Sequence, residues 1–246
     1  VSRNVTVERL QAVADNLRAA RDPIADPTNE SPTLRRVRAW QAARLAITFA
    51  DLRDSAQYRQ AAEFFLTDLY GEQDVSWRDR DLARMMPTLV RWLPEAMLGT
   101  VCDALELDLL SHRLDLHLAR ALQGKSSRAP TIDIVAYAAA YRTSCTADER
   151  AQQIDLLMRV GRELEHVVRV PLVYGVLRIA RGPASRAGLG NLQTFLERGF
   201  AAFRAMGKAD EFLRIIGSRE RLASRKLFAA DPAPFGAGFD EPQPAA

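Results

Sequence analysis

At 246 residues, 48% apolar and 26% charged, the chain can bury a sizeable core and lies far from the composition of disordered proteins. Basic residues exceed acidic ones by only 34 to 31, so net charge makes no case for nucleic acid as a partner; Lys125, Lys208 and Lys226 are the only lysines. Two cysteines, Cys102 and Cys145, are too few for a disulfide framework or a clustered zinc site, and no apolar run can span a bilayer, so a reduced cytoplasmic setting without a membrane partner is expected.

The pattern predicts an all-α fold, a single bundle-like domain of about eight to ten helices over residues 1–230 with a disordered tail from 231 to 246. Thr6 is a cap for a first helix with Val7, Leu10, Val13, Ala14 and Leu17 on one face. The Asp-Pro breaks at Asp22-Pro23 and Asp26-Pro27 make a loop, and Ser31-Pro32 opens a second helix with Leu34, Val37, Gln41, Leu45, Phe49 and Leu52 inward. Arg35, Arg36, Arg38 and Arg44 lie mostly off that stripe and are expected on a solvated face or beside carboxylates.

The third helix is apolar nearly all round. Tyr58, Ala62, Phe65 and Leu69 form one stripe, Ala61, Phe64 and Asp68 a second, and Leu66 and Tyr70 extend them, which predicts a buried helix stopped at Gly71. Ser76 and Asp79 have the spacing of a capping box for helix four. The run Phe64-Phe65-Leu66-Thr67-Asp68-Leu69-Tyr70, the following Arg78-Asp79-Arg80-Asp81-Leu82-Ala83-Arg84 and the later Leu196-Glu197-Arg198-Gly199-Phe200-Ala201-Ala202-Phe203 together resemble a bacterial family named for its FFLEELY motif. Thr67-Asp68 stands where the family name has two glutamates, leaving Asp68 as the one acid. The resemblance implies no activity. A carboxylate in so apolar a helix must reach water or pair with an arginine, and Arg80 and Arg84 are the candidates from sequence.

Pro87 should interrupt helix four, and Pro94 starts a fifth helix that runs to Gly124. Its apolar line Met97, Val101, Leu105 continues as Asp108, His112 and Asp115, with Ser111 beside them. Gly124-Lys125-Ser126 is not a phosphate loop, because Ala119 occupies the position where that loop needs glycine; residues 124–130 read as a linker and the one weak domain boundary. Thr131 is expected to cap helix six to Tyr141, Thr146 and Glu149 to box helix seven to about Val168, and residues 171–180 to form a short helix. The glycines of 181–190, with Arg181 and Arg186, predict an interhelical loop in which exposed amides before an Asn191 cap offer a lesser, anion-holding reading. Phe195, Phe200, Phe203, Phe212 and Ile216 carry the last helical pattern, and Phe235 and Phe239 are the tail residues able to dock on the body.

No set of residues completes a catalytic site. Trp40, Trp77 and Trp92 read as core anchors, and the leading expectation is a non-enzymatic protein-interaction or regulatory module with a protein partner. The chemical alternative is a helical enzyme holding a transition metal through Asp108, His112, Glu163 and His166, since Glu163 and His166 at i, i+3 share the spacing of carboxylate-bridged metal bundles. In the same setting His112, oriented by Asp108 or Asp115, has the makings of a general base. A third expectation is an apolar small molecule held between helices.

Overall fold

Side-chain capping is a clear local signal at the starts of two helices. Ser31 Oγ accepts the Leu34 amide hydrogen at 3.1 Å ahead of Pro32, and Thr146 and Glu149 exchange side-chain and backbone hydrogen bonds in a complete capping box. In the computed structural model, residues 3–69, 76–123, 131–236 and 239 are described, and all their regular structure is helical. The order is α1 (Arg3–Ala20), α2 (Pro32–Thr48), α3 (Ala50–Asp54), α4 (Arg59–Phe64) continued by a π turn (Phe65–Leu69), α5 (Ser76–Trp92), α6 (Glu95–Gln123), α7 (Ile134–Ser144), α8 (Ala147–Val168), α9 (Pro171–Arg186), α10 (Gly190–Met206) and α11 (Asp210–Phe228). Tyr70, Gly71, the 124–130 linker, residues 240–246 and the side chains of Leu69, Ser76, Trp77, Asp79, Arg80 and Trp92 lie outside this description.

Several boundaries differ from the sequence expectation. The first helix begins at Arg3, which places Thr6 inside it and buried rather than capping it. Phe49 closes α2 and α3 follows at once, so the expected second helix is two, and the described residues hold eleven α-helices. Pro87 does not break α5: packing against α1 and α10 outweighs the one intrahelical bond that proline removes. Asp133, not Thr131, caps α7, with Oδ1 accepting the Ala136 amide hydrogen at 2.7 Å. The supposed glycine loop at 181–190 is largely helix, because α9 continues through Gly182 to Arg186, and Asn191 lies inside α10 rather than capping it.

The core forms three linked clusters that meet on α6, which at 29 residues is about 43 Å long. Leu98, Cys102 and Leu109 pack with Leu10, Val13 and Leu17 of α1. Leu114, Leu116 and Leu118 pack with Val37 and Trp40 of α2, Tyr137 and Tyr141 of α7 and Leu227 of α11. Leu107 lies against the third cluster, where Phe65 meets Leu157, Phe203 and Phe212.

At the end of α11 the chain reverses through Ala230, whose φ of 56° is the left-handed region that glycine favours. The Asp231 amide donates to Lys226 O at 3.0 Å and the Ala230 amide to Leu227 O at 3.2 Å, the pair of bonds that defines a Schellman cap. Ala230→Gly should therefore stabilise the protein by about 0.5–1 kcal/mol in urea melts; an unchanged or lower midpoint would show that the left-handed turn is not retained in solution. The turn sends Phe235 back onto Trp40 and Tyr137, and Phe239 lies tilted against Phe235 at 5.0 Å between ring centres.

Candidate functional site

The motif at Phe64 to Leu69 and the run from Leu196 to Phe203 are two sides of one contact. Phe64 lies 5.4 Å from Phe195 between ring centres, and its Cζ sits so close to the Gly199 backbone that an added Cβ there would approach it to 2.8 Å. Phe65 turns the other way, onto Phe212 at 5.9 Å, in the cluster that also takes in Phe203. Phe64 and Phe65 are 6% and 8% exposed, and Leu66 is half-buried. Asp68 pairs with Arg198 at 3.0 Å and accepts the Thr67 hydroxyl at 2.7 Å. The ion pair expected of Asp68 is present with Arg198 of α10, along which α4 packs; of the two arginines expected from sequence, the Arg80 side chain lies outside the described residues.

The outer side of the same region is basic and carries exposed apolar side chains. From 167 to 209 the chain holds six arginines and Lys208 against one acid, Glu197. Arg181 binds Glu197 through Nε at 3.0 Å and Nη2 at 2.5 Å, and Gln193 donates to Glu197 at 2.7 Å and to Leu177 O at 2.6 Å, which ties α9 to α10. Tyr174 stacks on Phe200 at 5.3 Å and carries the guanidinium groups of Arg178 and Arg204 at 5.8 and 5.2 Å from its ring centre. Arg178, Arg186 and Arg204 make no ion pair among the described residues. Val170, Tyr174, Ile179 and Leu196 are exposed beside them, four of the nine large apolar side chains exposed among the described residues.

Of the residues expected to bind metal, Asp108 and His112 of α6 bond to residues of other segments, as does their neighbour Asp115. Asp108 binds Arg21 at 2.6 Å, and Asp115 lies 3.5 Å from Arg38. His112, 3% exposed, receives Arg38 Nη2 at 2.8 Å on Nδ1 and reaches Ala20 O with Nε2 at 3.1 Å. A guanidinium only donates and a carbonyl only accepts, so the ring is the neutral Nε2–H tautomer, fastening the end of α1 and Arg38 within α2 to α6. On α8, His166 is exposed with Nδ1 donating to Arg162 O at 2.7 Å, while Glu163 keeps a buried Oε2 without a hydrogen-bond partner among the described residues. Helices α6 and α8 do meet, through Gln153 on Ser111 at 2.8 Å, yet no group of three His, Cys, Asp or Glu side chains able to hold a metal ion occurs among the described residues. The Cys102 thiol is pushed up to about 11 by burial, which makes it a poor nucleophile at neutral pH.

Burial, reinforced by Arg21 and Arg38, lowers His112 from its ordinary 6.5 to about 4. Between those values the unfolded chain holds a proton that the folded chain lacks, so this residue's contribution is intact above 6.5 and is lost as pH falls towards 4. The full loss is on the order of 3 kcal/mol. Urea melts from neutral to acid pH should show a shallower loss for His112→Asn, which keeps an acceptor near the Nδ1 position, than for the parent protein. Equal slopes would contradict a neutral His112.

A second polar centre was missed by sequence reasoning. Arg44 of α2, 7% exposed, forms a two-pronged pair with Glu220 of α11, and its guanidinium lies 5.2 Å from the Phe235 ring centre. Arg150 of α8, 6% exposed, lies 4.4 Å over the Tyr141 ring and donates to Cys145 Sγ at 3.2 Å and to Gln153 Oε1 at 3.0 Å. Burial raises Asp115, with Arg38 and Arg150 opposing, and pushes Tyr141 up to about 12. The signal was present: Arg44 is four residues after Trp40, and Arg150 leads the buried series Ile154, Leu157, Gly161 on one helix face.

No curated protein and no solved structure matches the chain. One family model matches residues 20–234, a span containing the motif contact, the α9–α10 face and the buried arginine centre. The chain belongs to the family that this model describes, Domain of unknown function (DUF8198).

Proposed function

We propose that the protein is a non-enzymatic interaction module whose α9–α10 face takes an acidic, partly apolar segment of a partner protein. The carrying observation is the charge of that face: three arginines of α9 and α10 outside any ion pair, beside exposed Tyr174, Ile179 and Leu196. Isolated exposed apolar residues are ordinary on a protein surface, whereas several beside excess charge of one sign suit a complementary partner. Gln193, Glu197 and the Tyr174–Phe200 stack hold the two helices in fixed register, so the face is presented ready for docking. The two runs resembling the bacterial FFLEELY proteins meet directly behind it, and the reading carries with it a cytoplasmic setting.

Arg178→Glu with Arg186→Glu tests the reading, since both side chains are exposed and the double variant should change stability by less than about 1 kcal/mol. Tagged protein recovered from its own cells should bring down a partner with an acidic segment, and the double variant should lose about tenfold or more of it. Recovery unaffected by charge reversal, or no partner with either form, would contradict the proposal.

A further inference from the structure

Buried polar atoms almost always find hydrogen-bond partners, and each exception asks for an explanation. Trp40 Nε1, Arg44 Nε and Arg150 Nη2 are buried donors without a partner among the described residues. Trp40 and Arg44 lie against Phe235, while Arg150 lies over Tyr141, the ring next to Tyr137 in the same cluster. Glu220 takes both Nη atoms of Arg44, and Cys145, Gln153 and the Tyr141 face hold Arg150, so each guanidinium is fixed in place with one donor left over. Trp40 stacks on Tyr137 at 4.1 Å and 25°, which likewise fixes its indole.

Phe235 belongs to no helix. Its ring lies 6.0 Å from Trp40, 6.4 Å from Tyr137 and 5.2 Å from the Arg44 guanidinium carbon, partly exposed at the outer end of the niche. It arrives there through the left-handed Ala230, and Lys226 fixes the path by donating to Ala233 O at 3.2 Å. A phenyl ring fills the apolar part of the niche but offers no acceptor, so the Trp40 and Arg44 donors stay unmatched behind it. The charge is also unmatched. Arg44 and Glu220 cancel, whereas the half-buried Asp115 pairs with Arg38 and is the carboxylate whose field also reaches Arg150, which has no ion pair of its own among the described residues.

We propose that this niche between α2 and α7 is a binding site for a small planar aromatic anion, an arylcarboxylate, whose ring takes the place of Phe235 against Trp40 and Tyr137. Its carboxylate accepts from the leftover donors of Trp40 and Arg44 and supplies the missing negative charge near Arg150. The C-terminal segment is then the competing occupant, and ligand binding displaces it from the body.

The probe is benzoate, with benzyl alcohol as the uncharged ring and acetate as the ringless anion, titrated into the full chain and its Phe235→Ala variant. Binding is followed by the three tryptophan indole N–H resonances, with that of Trp40 assigned by Trp40→Phe. Removing the competing ring should tighten benzoate binding by about tenfold or more and shift the Trp40 resonance, while benzyl alcohol and acetate bind at least about tenfold more weakly than benzoate. Phe235→Leu, which keeps apolar cover over the core, should show the same order with a smaller gain. Equal benzoate affinity in the parent and both variants, equal affinity for benzyl alcohol, or a silent Trp40 resonance would overturn the proposal.

Discussion

Phe64→Ala is expected to destabilise the protein by about 3–5 kcal/mol, the cost of emptying a buried aromatic site that cannot collapse fully. The site is held open by its neighbours: Phe195 flanks the ring and the Gly199 backbone passes under its edge. The converse change is informative too. Gly199→Ala would place a methyl 2.8 Å from Phe64 Cζ and 3.3 Å from both Cε atoms, an overpacking that costs about 1–3 kcal/mol. Because one ring edge causes both effects, Gly199→Ala should cost less in a Phe64→Leu background, with a coupling of about 0.5–3 kcal/mol in a double-mutant cycle from urea unfolding. Strict additivity, or a Phe64→Ala cost below about 1 kcal/mol, would show that the motif and the α10 run do not meet as described.

Glu220→Ala should cost about as much, roughly 3–5 kcal/mol, for a different reason. Arg44 stays charged at any accessible pH; burial opposes that charge, and Glu220 outweighs burial and holds the guanidinium above its ordinary value. Without Glu220 the cation is left buried beside the Phe235 ring. Replacing both partners by apolar residues, Arg44→Met with Glu220→Leu, removes the uncompensated charge and should recover most of the loss. Unfolding midpoints of the three variants decide it: a single variant no worse than the double would mean that Arg44 reaches water.

The same two sites show what was legible in the chain. The burial of Phe64 and Phe65 follows from local periodicity, since apolar side chains at most helical angles leave only a narrow strip, Glu63 and Thr67, for solvent. The need of Asp68 for a cation follows from the cost of an unpaired charge. Its partner Arg198, however, lies 130 residues away, and only the packing of α4 on α10 selects it over Arg84. Ser31, Thr146 and Glu149 were readable because capping is decided within one turn. The course of α9 through Gly182 was not, because residues poor in helix propensity are overridden when neighbouring helices pack against them. Arg44 was expected on a solvated face or beside a carboxylate and has the carboxylate, Glu220, although it is buried; Arg150 carried no expectation, although its spacing puts it on an apolar face. His112 beside two carboxylates suggested chemistry; the arginines that occupy those carboxylates, Arg21 and Arg38, come from other segments of the chain.

Site-specific photocrosslinking in living cells tests the interaction reading most directly. A photoreactive residue at Ile179, 79% exposed on α9, is compared with one at Val135, 73% exposed on α7. The α9 position should crosslink to one protein through a segment rich in Asp or Glu, with a yield that falls steeply when Arg178 and Arg186 are reversed to glutamate. Crosslinks no more frequent or specific at Ile179 than at Val135 would contradict a docking role for the α9–α10 face.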